Sequence, residues 1–135
     1  MVIIYKINKV RRDINQLKQL PKIEKLLKFT GMLTRLLTCH KLYPILIGAP
    51  AVQVSNKSKV SAVDIDLIYS DRQFATEVLL RLGFEKEGRQ WHHYESSINI
   101  ELHNDFLDTA DYEKVVHLEL FDGNSVYVIR MEDII

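Results

Sequence analysis

The sequence predicts an α+β fold, a mixed and mainly antiparallel sheet with helices packed on one face. Three observations predict it. Apolar residues recur at helical spacing as far as about residue 40. Beyond that point the pattern changes to short apolar or alternating runs bounded by turn residues. The chain has 135 residues, 47% of them apolar and 27% charged, which suits one domain around one core.

The elements follow in order. Between residues 13 and 20, Ile14, Leu17 and Leu20 keep helical spacing, and Asp13 is placed to cap the start. Pro21 interrupts and can open the next helix at its first position. From residue 22 to about 40, an apolar stripe of Ile23, Leu26, Leu27, Leu33, Leu36 and Leu37 lies opposite Lys and Arg. Tyr43-Pro44-Ile45-Leu46-Ile47 then reads as a buried strand meeting a turn at Gly48. Pro50 suits the first turn of a short helix over residues 51–55, and residues 56–59 form a polar loop. Residues 63–69 alternate as a strand, with Val63, Ile65 and Leu67 on one face and Asp64, Asp66 and Ile68 on the other. Asp71 caps a helix with Phe74, Val78, Leu79 and Leu82 on its inner side, and Gly83 ends it. Residues 91–94, 98–103, 115–121 and 125–129 are strands, the last two joined by a hairpin turn at Asp122-Gly123-Asn124. Residues 131–135 read as a first helical turn. Neither a repeat nor a linker divides the chain, so residues 1–135 are expected to form one domain, a basic helical segment (1–41) followed by an α/β core (42–135).

Bulk charge and composition narrow the setting. No apolar run approaches the roughly 20 residues needed to cross a bilayer. The opening residues carry too few apolar side chains before Lys6 for a signal peptide, and a lone Cys39 makes no internal disulfide. These features point to a cytoplasmic protein without membrane contact. The zero net charge conceals an asymmetry. Residues 1–41 hold ten Lys/Arg against two acids, a net of +8, and the remainder holds eight against sixteen, a net of −8. The basic helices could contact nucleic acid or an acidic partner protein; equally, Lys-rich helix faces are often simply solvated.

The candidate chemistry lies in the acids. Residues i and i+2 of a strand project from one face, with α-carbons about 7 Å apart, so Asp64 and Asp66 aim two carboxylates at one region. Like charges so placed repel, and a cation relieves the repulsion. Oxygen ligands of this kind favour Mg²⁺, with Mn²⁺ as the alternative ion. On its own Asp-x-Asp is common on solvent-facing strands. Here it follows a strand–glycine–helix junction at Gly48 and Ala49, a geometry that presents backbone N–H groups to phosphate. A third acid, Glu101, shares the outer side of its strand with Asn99 and His103, and one strand pairing would set it beside the aspartates. Lys57 and Lys59 lie where they could reach a triphosphate, although solvated loop lysines need no ligand. His92, His93 and His103 could suggest a zinc site, but the adjacent His92 and His93 point to opposite faces of their strand and Cys39 lies far away in sequence, which argues against one.

Taken together, Ile45-Leu46-Ile47-Gly48-Ala49, then Val63-Asp64-Ile65-Asp66-Leu67, then Glu101, resemble the nucleotidyltransferases that share the palm fold of DNA polymerase beta. Leu82-Gly83-Phe84, Gly88-Arg89-Gln90-Trp91 and Glu132-Asp133-Ile134-Ile135 look like the small bacterial branch of that superfamily, some of whose members work in toxin–antitoxin or phage-defence systems. The resemblance implies that Asp64 and Asp66 hold two Mg²⁺ ions and that Glu101 completes the site of one of them. It implies that Gly48 and the backbone after it, with Lys57 and Lys59, hold the nucleoside triphosphate. The implied reaction is attack of an RNA or protein hydroxyl on the α-phosphorus. Ala49 and Ala62 stand where the family carries small polar or glycine residues, which keeps a second reading open: an inert module that binds nucleic acid or a partner protein.

Overall fold

The computed structural model describes residues 2–38, 42–48 and 62–133. Ala49, the short helix expected at 51–55, Lys57 and Lys59 lie outside the described residues. Among those described, three helices pack on one face of a seven-stranded mixed sheet, which makes the fold α+β.

Helix α1 spans Val2–Ile14, and a 3-10 turn, Asn15–Leu17, extends it. This corrects the expected start at Asp13, which sits in the last turn and caps nothing there. The buried residues Ile7, Ile14 and Leu17, with Val10 half-buried, form one stripe spaced by three and four, and that stripe begins well before Asp13. Helix α2, Lys22–Leu37, opens directly after Pro21, whose φ of −56° and ψ of 154° place it just outside the helix. Its inner face carries Leu26, Phe29, Leu33, Leu36 and Leu37. Gly31 lies on this face because the turn over residues 120–124 comes close: an added Cβ would stand 2.8 Å from Leu120 Cδ1 and 3.1 Å from Asn124 Cβ.

Strands β1 (Ile45–Gly48) and β2 (Val63–Ile68) pair antiparallel, with Ile45 opposite Ile68. Helix α3, Arg72–Leu82, begins as expected, the Asp71 carboxylate accepting the Phe74 N–H at 3.1 Å, and ends at Gly83 with φ +99°. A hairpin then joins β3 (Glu85–Glu87) to β4 (Gln90–His93), and β5 (Ile98–His103) follows. A one-turn helix α4, Thr109–Tyr112, is held by a capping box between Asp108 and Asp111. Strands β6 (Val116–Glu119) and β7 (Ser125–Arg130) close the sheet as the expected hairpin, and Met131–Asp133 forms a 3-10 turn. The spatial order is β3-β4-β5-β2-β1-β7-β6; β2 runs parallel to β5 and β1 parallel to β7, the other neighbours being antiparallel.

The main core lies between the helices and one sheet face, where Val63, Ile65 and Leu67 of β2 meet Ile98, Ile100 and Leu102 of β5. On the opposite face, Ile45, Ile47, Ile68 and Ile129 form a smaller cluster partly covered by Tyr43, Leu107 and Val115. The β4–β5 turn is tied to the helices. The Lys25 ammonium donates to the Ser96 carbonyl at 2.7 Å, and Ser97 holds a left-handed φ of 60°.

Buried His93 belongs to the same corner. The Ser96 N–H donates to its Nδ1 at 3.3 Å, and the Ser96 hydroxyl lies 2.6 Å from the same atom. Nδ1 is thus an acceptor and the ring neutral. Burial, aided by Arg11 and opposed by Glu95, holds its pKa below the ordinary histidine value. The unfolded chain therefore gains this proton at a higher pH than the folded one does. Stability should be full above about pH 6.5 and fall as pH drops through the lowered folded value. Urea midpoints measured from pH 7.5 to 5 are expected to decline, and His93→Gln should flatten that part of the decline.

Candidate metal-binding site

The site grows from the register of two parallel strands. Asp64 pairs with Asn99, Asp66 with Glu101 and Ile68 with His103. Partners in register stand side by side about 4.8 Å apart, so the alternation that buries Val63, Ile65 and Leu67 turns all these polar groups to the face away from the helices. The antiparallel pairing of β4 then sets Gln90 beside Glu101 and His92 beside Asn99 on that same face.

Two clusters result. In the first, His103 Nε2 lies 3.0 Å from Asp66 Oδ1 and 3.9 Å from Glu101 Oε2. One donor atom from each of Asp66, Glu101 and His103 falls within a span of 4.8 Å. Side-chain exposures of 48%, 30% and 31% leave all three open to an incoming ion. In the second, Asn99 Nδ2 donates to Asp64 Oδ1 at 3.0 Å, and His92 Nδ1 approaches Asn99 Oδ1 at 2.6 Å. An ionised carboxylate only accepts, so Asn99 must offer it the amide N–H and turn its oxygen to His92. His92 therefore carries a proton on Nδ1. The chain His92–Asn99–Asp64 fixes the orientation of an otherwise exposed carboxylate.

Glu101 thus stands beside Asp66, while Asp64 is one step along β2 and bonded to Asn99 rather than to the triad. The sequence places His103 on the strand face of Glu101 but does not join it to the carboxylates as a ligand. The signal was available: Glu101-Leu102-His103 repeats the period-two spacing of Asp64-Ile65-Asp66, which puts both ends on one face.

Beside the aspartates, a cavity of about 480 Å³ is lined by Gly48, Asp64 and Asp66, by aliphatic residues including Ile23, Val128 and Met131, and by Arg130 and Glu132. Gly48 packs closely here: an added Cβ would stand 3.0 Å from Val128 Cγ1 on β7, so a larger residue needs that side chain to give way. A second groove, between α1 and α2, is lined by Lys6, Lys9, Lys28 and Arg35 together with Asp13 and Asp122. No helix among the described residues is long and apolar enough to cross a membrane.

No family model, curated protein or solved structure matches this chain.

Proposed function

We propose that this chain transfers a nucleotide from a nucleoside triphosphate to an acceptor hydroxyl on RNA or protein, at a divalent-metal site formed by Asp64, Asp66 and Glu101. One observation carries the reading: β2 lies on β5 in the register that puts Glu101 directly beside Asp66, on the face that also presents Asp64. Three carboxylates on one open face repel one another unless a cation sits among them. The bound ion would neutralise phosphate charge and polarise the α-phosphate. The protein's part is positioning: Asn99 orients Asp64, and the adjoining cavity is wide enough to take part of a nucleotide. In the reaction the acceptor oxygen bonds to the α-phosphorus, the bond from that phosphorus to the bridging oxygen breaks, and pyrophosphate leaves as the hydroxyl proton passes to base or solvent. A role within a toxin–antitoxin or defence system fits a modification of RNA or protein.

Calorimetric titration of ATP and the other NTPs tests this. Binding should require Mg²⁺ or Mn²⁺, vanish with EDTA, and be lost in Asp64→Ala with an unchanged circular-dichroism spectrum. NTP binding that ignores both the ion and the substitution would remove the proposal. The cationic groove between α1 and α2 favours the inert-module reading as runner-up. In the same experiment that reading predicts RNA binding that weakens steeply with salt and is indifferent to Asp64→Ala.

A further inference from the structure

Resting on the proposed carboxylate site, we infer that His103 is an inner-sphere nitrogen ligand that makes the ion at Asp66 and Glu101 a first-row transition ion such as Mn²⁺ in preference to Mg²⁺. The donor set lies close to what one ion requires. Ligands about 2.1 Å from an octahedral centre stand about 3 Å apart when adjacent and about 4.2 Å apart when opposite. His103 Nε2 lies 3.0 Å from the Asp66 oxygen and 3.9 Å from that of Glu101, both within that range, and the whole set spans 4.8 Å, so the two carboxylates must draw slightly together around the ion. The imidazole reaches this position because His103 is two residues beyond Glu101 on the same strand face, and its ring leans back over the carboxylate pair.

The chemical consequence follows from ligand type. Mg²⁺ binds oxygen, gives up water reluctantly and gains little from an imidazole nitrogen. Transition ions accept nitrogen and oxygen together, with affinities rising along the first row from Mn²⁺. Two carboxylates alone would discriminate weakly between Mg²⁺ and Mn²⁺; two carboxylates and an imidazole favour Mn²⁺. The partial exposure of all three side chains lets them adjust by small rotations without disturbing the core.

The test is Mn²⁺ binding to the full chain, followed by electron paramagnetic resonance with Mg²⁺ as competitor. Wild-type protein should bind Mn²⁺ at least about tenfold more tightly than Mg²⁺, and electron spin-echo spectra should show nitrogen coupling from a directly bound imidazole. In His103→Ala that coupling should disappear and the preference narrow by about tenfold, with Mg²⁺ affinity little changed. Asp66→Ala should lose both ions. Nitrogen coupling that is absent from the wild type or persists in His103→Ala, or an unchanged preference in that variant, overturns the role of His103 and leaves the carboxylate reading standing. Failure of the wild type to bind either ion overturns both.

Discussion

On the proposed reading, Asp66→Asn slows nucleotide transfer by about 10²- to 10³-fold while leaving the fold intact. Asparagine matches aspartate in size and keeps an oxygen at the position that lies 3.0 Å from His103 Nε2, so little of the packing changes. What it removes is one negative charge at the residue that lies between the other two acids, two positions from Asp64 along β2 and directly across from Glu101 on β5. Single-turnover rates at saturating NTP measure the step itself, free of product release. The Asp64→Asn variant and the double variant complete the experiment. If the aspartates act as one unit, the double variant should be scarcely slower than the worse single one. A loss of less than tenfold in Asp66→Asn would count decisively against the proposed mechanism.

Phe29→Ala is the substitution expected to cost most in stability, about 3–5 kcal/mol. Phe29 is fully buried in the middle of α2, with its ring 5.5 Å from that of Phe84. Phe84 in turn follows Gly83 and contacts the His93 ring at 5.1 Å. Deleting the Phe29 ring therefore opens a cavity where α2, the end of α3 and the β4–β5 corner meet, a junction of three elements that cannot all close in on it. Small domains have a total stability of about 5–15 kcal/mol, so the variant should be marginal at best. Equilibrium urea unfolding reads the loss. A change below about 1.5 kcal/mol would mean that the junction collapses to fill the space.

How far the sequence discloses this molecule depends on which interactions decide each element. Asp71 and Gly83 mark the ends of α3 by local chemistry, a side-chain cap and a left-handed residue, and both do so in the structure. The alternation of β2 follows from one buried face, and that too is local. The start of α1 is harder to see because Tyr5, Lys6, Lys9, Arg11 and Arg12 surround a narrow stripe that becomes meaningful only once α2 and α3 cover it. Strand β3 is Glu85-Lys86-Glu87, all exposed; it is extended because β4 pairs with it, and no side-chain pattern announces that. The candidate site divides in the same way. The sequence shows which side of its strand Glu101 faces. The neighbour of that strand is settled by sheet topology, and the parallel register on β2 depends on contacts between distant segments.

The pairing of β1 with β7 bears on how the protein is made. A ribosome delivers Ile45, Leu46 and Ile47 long before the segment Ser125–Arg130 that flanks them in the finished sheet. Until then one side of β1 has unpaired backbone groups and aliphatic side chains with no strand to receive them, a form prone to association with other nascent chains. Productive synthesis therefore favours slow completion under chaperone protection, and overexpression at reduced temperature should raise the yield of native material.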